Sequence, residues 1–229
     1  MKVAIMQPYF LPYIGYWQLM SLVDRYVILD DVNYIKRGWV NRNRILLNGT
    51  DHMVTLPLAK ADAFKKINEN MLADIPPNLE KTIALAYHKA PNYVNVAPLV
   101  HDILSCPEKN LARFLTNSIR LVASYIGIET EFLVASETEH DPSLKAQDMI
   151  LDICMRQGAT EYYNAIGGME LYSKELFSHN GIRLGFVRPR LLEYQQFGAS
   201  FIPGLSILDV LMFCSKDELA RQLASFEIV

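Results

Sequence analysis

Val3-Ala4-Ile5-Met6 makes positions 2–6 a short apolar run, and Gln7-Pro8 stops it, which is the pattern of a buried strand feeding a loop. Beyond the loop, Ile14, Trp17, Leu19, Met20 and Val23 fit a short, mostly apolar helix. Residues 25–31, with Tyr26-Val27-Ile28-Leu29 inside them, read as a second buried strand that ends in two acids. Strand, loop, helix and strand in so short a span predict one βαβ unit, parallel and right-handed. Asn48-Gly49, between candidate strands at 39–47 and 52–58, marks a hairpin, because both residues tolerate the positive φ of a tight turn. The hairpin is expected to extend or cap the sheet.

From residue 78 to 127 the apolar period lengthens to that of helices. Leu79, Ile83, Ala86 and Tyr87 form one stripe, and Tyr93, Ala97, Val100, Ile103 and Leu104 a second. Leu111, Leu115, Ile119, Val122 and Ile126 form a third, closed by Gly127 at a C-cap position. These stripes are packing faces. The α/β rhythm then resumes, with strands expected at 131–135, 161–165 and 182–187. Asp141-Pro142 offers an N-cap with Pro at the first helical position, for a helix ending before Gly158, and residues 171–177 fit a shorter helix.

The fold class expected is α/β, with a Rossmann-like parallel sheet, a β-hairpin extension and a helical insertion in the middle of the chain. Residues 1–229 read as a single α/β unit. In it, 1–75 carry the candidate site, 76–128 are the helical insertion and 129–229 complete the sheet.

Composition narrows the function. Hydrophobic residues are 51% of the 229 and charged residues 21%, enough for a large core and too apolar for disorder. A net charge of −3 argues against general nucleic-acid binding, which needs a basic surplus. Cys106, Cys154 and Cys214 are far apart and read as buried thiols in a reducing compartment. The apolar start is too short for a signal peptide, and no run approaches the roughly 20 residues of a membrane span, so a cytoplasmic protein without membrane association is expected. His52, His88, His101, His140 and His179 share no ligand spacing, so neither a zinc site nor a Ser-His-Asp triad is indicated.

Ligands of open parallel sheets bind at the carboxyl ends of strands, and three segments should converge there. The first runs from Gln7 to Tyr16: two prolines stiffen it, Tyr13 and Tyr16 could wall a pocket, and Gly15 permits close approach at a helix start suited to an anion. An aromatic plug over the sheet edge is the structural alternative. The second follows the acids Asp30 and Asp31 with Lys36, Arg37, Asn41, Arg42, Asn43 and Arg44. Lys and Arg clamp phosphate or carboxylate, and Asp takes a proton or holds magnesium. The alternative is a charged edge strand, with Arg42 and Arg44 facing water. In the third, Gly167-Gly168 between a strand and a helix could cradle a phosphate or make a tight turn. Ser206 and Asp209, after Pro203-Gly204, match a helix capping box.

At these residues the chain resembles the WbqC-like family nearly end to end. The family opening, Gln-Pro-x-hydrophobic-Leu-Pro-x-hydrophobic-Gly-Tyr, stands here at Gln7 to Tyr16. Its Asp-Asp, Lys and Asn-Arg-Asn are Asp30, Asp31, Lys36, and Asn41 to Asn43. Its closing Tyr-x-Gln, Phe-x-Pro and Leu-Ser-x-x-Asp are Tyr194, Gln196, Phe201, Pro203, Leu205, Ser206 and Asp209. Two positions depart: Asn33 stands where glutamine is expected, and Asn164-Ala165 where Ser-Gly is expected before the glycine pair. The layout of the start is also similar to that of nucleotidyltransferases of the His-x-Gly-His type, with Tyr13-Ile14-Gly15-Tyr16 in place of the motif. Phenols cannot carry the positive charge that imidazoles bring to transferring phosphates.

The resemblance implies a surface-polysaccharide context such as O-antigen biosynthesis. The function expected is a transferase, with acyl or aminoacyl transfer favoured over nucleotidyl transfer, acting on an activated amino-sugar or other surface-polysaccharide precursor. The alternative is a non-catalytic module that binds a sugar nucleotide or a partner enzyme. Asp30 and Asp31 are the candidate catalytic acids. Gln7, Tyr13, Gly15, Tyr16, Lys36, Arg37, Asn41, Arg42, Asn43, Gly167, Gly168, Tyr194 and Gln196 are candidates for substrate or anion binding. The partner expected is a small molecule, a nucleotide-linked sugar or an acyl donor. No cofactor is fixed by these residues; a nucleotide with Mg is the candidate.

Overall fold

The structure, a computed structural model, describes residues 1–198 and 200–229. The apolar run at the start forms β1 (Lys2–Met6), followed by α1 (Ile14–Leu22) and β2 (Arg25–Ile28). β1 and β2 pair in parallel, as the βαβ pattern requires, and the Leu29 N–H continues the ladder to the Met6 carbonyl at 2.8 Å. Further strands are β3 (Arg42–Leu47), β4 (Thr50–Thr55), β5 (Glu131–Val134), β6 (Glu161–Ala165), β7 (Arg183–Pro189) and β8 (Phe226–Ile228). The main sheet has six strands in the order β5-β2-β1-β6-β7-β8, parallel except for β8 on β7. Strands from both ends of the chain therefore share one sheet.

Alternate residues of the central strands serve opposite faces. Ala4, Tyr26 and Ile28 join a core with α1 and with the middle helices α2 (Pro77–Tyr87), α3 (Tyr93–Leu104) and α4 (Leu111–Ile126). Val3, Ile5, Val27 and Leu29 join a second core with α5 (Ala146–Arg156) and α6 (Lys174–His179). The last two helices, α7 (Ile207–Phe213) and α8 (Lys216–Ala224), precede β8. Every residue of α1 from Ile14 to Met20 is buried, and Gln18 meets its polar needs by donating to the Gln222 and Ser225 carbonyls at 2.7 and 2.9 Å.

Several local expectations are corrected. The hairpin turns at Asn48 (φ 53°) and Gly49 (φ 75°) as its sequence demands, but β3 and β4 form a separate two-stranded sheet and do not extend the main one. Asp141 does not cap α5, which begins at Ala146. Its carboxylate closes its own turn, accepting from the Ser143 N–H and Oγ at 2.9 and 2.7 Å. The helix expected at 171–177 starts at Lys174, where Ser173 caps it. Ser206 caps α7, accepting from the Leu208 N–H, but Asp209 does not complete the capping box; its carboxylate turns into the core.

Candidate functional site

The first crossover steps from β1 to β2 on one side, while β6 lies on the other side of β1. Between β1 and β6 the strand order reverses, and there the carboxyl ends of the strands leave a cleft, the place where open α/β sheets bind ligands. Its volume is about 650 Å³, and Gln7, Pro8 and Tyr9 after β1, with Asn164, Ala165, Gly167 and Gly168 at the end of β6, form its floor and one rim. Tyr13, Trp39 and Tyr172 give it aromatic walls, and Ile35, Gly38, Asn43 and Arg44 close the hairpin side.

The wall between β1 and α1 is held by a set of staples. Leu11 sits at φ 46°, a conformation that costs a non-glycine residue about 1 kcal/mol or more. The Asn43 carboxamide donates to the Phe10 and Leu11 carbonyls at 3.0 and 2.7 Å, and the Ser206 hydroxyl donates to Leu11 at 2.9 Å. The Trp17 indole and the Ile207 N–H both donate to the Pro12 carbonyl, at 2.9 and 3.0 Å. The loop is thereby fixed by residues far away in sequence. Gly15 has the close approach expected of it, but the visitor is internal: a Cβ there would lie 2.4 Å from the Tyr13 hydroxyl and 2.7 Å from Pro189. The start of α1 is thus covered by Tyr13, and Tyr16 is a core ring packed on Tyr9, Trp17 and Tyr26.

Among the described residues, Arg44 is the one charged side chain that lines the cleft. Its guanidinium lies 5.7 Å from the Trp39 ring centre, a cation–π distance, and reaches Asp51 at 3.3 Å, while its buried Nε has no partner. Gln7 is half-buried, and its carboxamide makes no hydrogen bond among the described residues. Burial pushes the Tyr9 and Tyr13 phenols further above an ordinary pKa that already keeps them neutral near pH 7.

The other cations part from this group. Arg42 donates from Nε to the Gly38 carbonyl at 2.7 Å and from its terminal nitrogen to the Arg37 carbonyl, so it braces the turn that carries Ile35 and Gly38. Lys36 and Arg37 stand exposed on that turn, outside the lining, with Arg37 at φ 61°. Asn41 is buried, accepting from the Tyr34 hydroxyl and donating to the Leu56 carbonyl at 2.8 and 2.7 Å. Tyr194 and Gln196 lie away from the cleft. They donate to Asp209, as does Tyr87, whose hydroxyl also receives the Leu46 N–H. Burial without a cation raises the Asp209 pKa despite those donors.

The paired acids diverge. Asp30 turns toward α4, accepting from the Ser136 N–H and Oγ at 3.0 and 2.6 Å and from Asn68 at 3.2 Å. Asp31 accepts from His140 Nε2 at 2.9 Å, with Lys66 at 3.9 Å, and its other oxygen is buried without a partner. Both side chains of the Asp31–His140 pair are more than nine-tenths buried. His140 was not legible as a partner because 109 residues separate it from Asp31, and only the parallel pairing of β2 with β5 brings them together. Among the described residues, no three His, Cys, Asp or Glu side chains gather as ligands for a metal. Among the described residues, no helix is long and apolar enough to cross a membrane.

Residues 7–221 match the model of the WbqC-like protein family. The chain belongs to that family. It is also similar to Rv1507c of Mycobacterium tuberculosis (strain ATCC 25618 / H37Rv), described as an uncharacterized protein, with 28% identity over 215 residues and 92% of each chain covered. No solved structure matches the chain. The three separated segments meet in the fold: the closing Ser206 and the middle Asn43 both staple the opening loop at Leu11.

Proposed function

We propose that this WbqC-like protein binds a nucleotide-linked amino sugar or a similar activated polysaccharide precursor in the cleft between β1 and β6, and acts on it as a transferase. The observation that carries the binding is the pairing of aromatic walls with a single stacked cation, Arg44 on Trp39. Flat rings can pack between Tyr9, Tyr13, Trp39 and Tyr172, while the Arg44 guanidinium and the Gln7 amide offer donors to a phosphate and a sugar. Acyl or aminoacyl transfer suits the site better than nucleotidyl transfer, since no imidazole lines it. Acid–base work would fall to the buried Asp31–His140 pair, which lies outside the lining, with Asp31 two residues beyond Leu29, a residue of it.

A second reading, a binding module without catalysis, is favoured by one observation: no carboxylate or imidazole is among the lining residues described. Titration of UDP and a UDP-linked amino sugar into wild type, Gln7→Ala and Arg44→Ala separates the possibilities. Saturable binding that weakens about tenfold or more in Arg44→Ala is expected, since a lost charge-assisted hydrogen bond is worth about 1.5–3 kcal/mol. Binding that ignores Arg44 would remove the nucleotide reading. Mass spectrometry of the sugar after incubation with acyl donors then reports transfer, and saturable binding without any product supports the module.

A further inference from the structure

A second cleft, of about 430 Å³, opens where the carboxyl ends of β2 and β5 face α4. It shares no lining residue with the first: Leu29 belongs to one and its neighbour Asp30 to the other. The buried side of α4 sends Leu115, Ile119 and Val122 into the core, and Arg113, Thr116, Asn117 and Arg120 line the cleft. Spacings of three, four and seven residues put these four on one helix face, with the two arginines two turns, about 10.5 Å, apart along the axis. Two side chains of that length can close from either end on an anion between them.

Neither guanidinium has a side-chain partner among the described residues, although two carboxylates, Asp30 and Glu137, line the same cleft. Asp30 is already satisfied by Asn68 and by both donors of Ser136, so it leaves the arginines uncommitted. Thr116 adds a separate sign. The residue is only 6% exposed, and its hydroxyl, which has no hydrogen-bond partner among the described residues, is left open to the cleft. The Asn117 carboxamide is equally free, and Glu137 supplies an acceptor at the rim. Anion-binding forks, a hydroxyl, an amide and a carboxylate acceptor together match an acid that also carries sugar hydroxyls.

We propose that this cleft is a second binding site, for an anionic sugar whose phosphate or carboxylate lies between Arg113 and Arg120 and whose hydroxyls meet Thr116, Asn117 and Glu137. The test is calorimetric titration of the full chain with glucose 6-phosphate, glucuronic acid and neutral glucose. The same titrations are run on the Arg113→Ala/Arg120→Ala double variant, Thr116→Val and Arg44→Ala. Saturable binding of at least one acid, with none by glucose, is expected; the phosphate alone or the carboxylate alone identifies which anion the site takes. The double variant should lose about tenfold or more in affinity while keeping its melting temperature, because both arginines are exposed. Thr116→Val should weaken binding, and Arg44→Ala should leave it unchanged. The proposal is overturned if neither acid saturates the wild type, if glucose binds as well as the acids, if the double variant binds like the wild type, or if Arg44→Ala abolishes binding.

Discussion

The Asn43 carboxamide donates to the Leu11 carbonyl at 2.7 Å, and Leu11 holds a left-handed backbone at φ 46°. A bond from the hairpin thus offsets strain in the loop that walls the cleft. Asn43→Ala is expected to destabilise the fold by about 1–3 kcal/mol, because two buried carbonyls lose a donor. Asn43→Asp should cost more, since a carboxylate cannot donate and would face both carbonyl oxygens. Urea unfolding measures both. An unchanged midpoint in either variant would show that Ser206 and Trp17 hold the loop alone.

Arg42 and Arg44 sit two residues apart on β3 and should respond differently. Arg42 is committed to the Arg37 and Gly38 carbonyls, so Arg42→Ala should lower stability by about 1–2 kcal/mol and alter ligand affinity only as far as the turn moves. Arg44→Ala loses an exposed pair with Asp51 worth about 0–1 kcal/mol, yet removes the cleft's cation. Melting curves and titrations on the two variants give the comparison. Equal effects on affinity would mean that Arg42 also reaches the ligand.

What the chain discloses about itself follows from the range of each interaction. The βαβ start, the Asn-Gly turn and the Gly127 C-cap are local matters of periodicity and φ, and each forms where its residues stand. The floor of the cleft follows from strand ends, so Gln7, Gly167 and Gly168 could be placed by pattern. Residue type alone could not separate a cation that binds ligands from one that braces a turn, as Arg42 does. Nor could it tell that Asn41, Tyr194 and Gln196 spend their hydrogen bonds inside the protein. The three-residue β8 has too few positions to show a period, and its register comes from pairing with β7.

Asp209 provides a test by pH. Burial raises its pKa above the ordinary 3.8, although Tyr194, Gln196 and Tyr87 donate to it. The folded chain therefore holds that proton more tightly than the unfolded chain does. Below the unfolded pKa both states are protonated and the charge costs nothing. As pH rises from there through the raised folded value the burial cost develops, and above it the cost is constant. Asp209→Asn cannot titrate, and its amide hydrogens would face existing donors, so the variant should be less stable by about 1–3 kcal/mol. The gap between wild type and variant should be widest near about pH 4 and narrower near about pH 7 by urea unfolding. A gap that widens with pH would place the folded pKa below the ordinary value and show that the three donors outweigh burial.

The buried Asp31–His140 pair offers a test of the proposed transfer reaction. His140 places Nε2 2.9 Å from Asp31 and Nδ1 3.2 Å from the Thr138 carbonyl, so each ring nitrogen faces an oxygen and a neutral ring can donate to one of the two. If the pair moves a proton during transfer, His140→Ala and Asp31→Asn should bind the UDP-linked sugar almost normally and lower turnover by about 10²–10⁴-fold. Asp30→Asn is the control, because Asp30 is held by Ser136 and Asn68 and faces the other cleft; it should change stability more than turnover. If the pair instead anchors the loop after β5 to the end of β2, both variants should lose stability and affinity together, with turnover per bound substrate intact. Comparing kcat with KM for each variant, beside its melting temperature, separates these outcomes. Full turnover in both His140→Ala and Asp31→Asn would leave the transfer reaction without its acid–base pair.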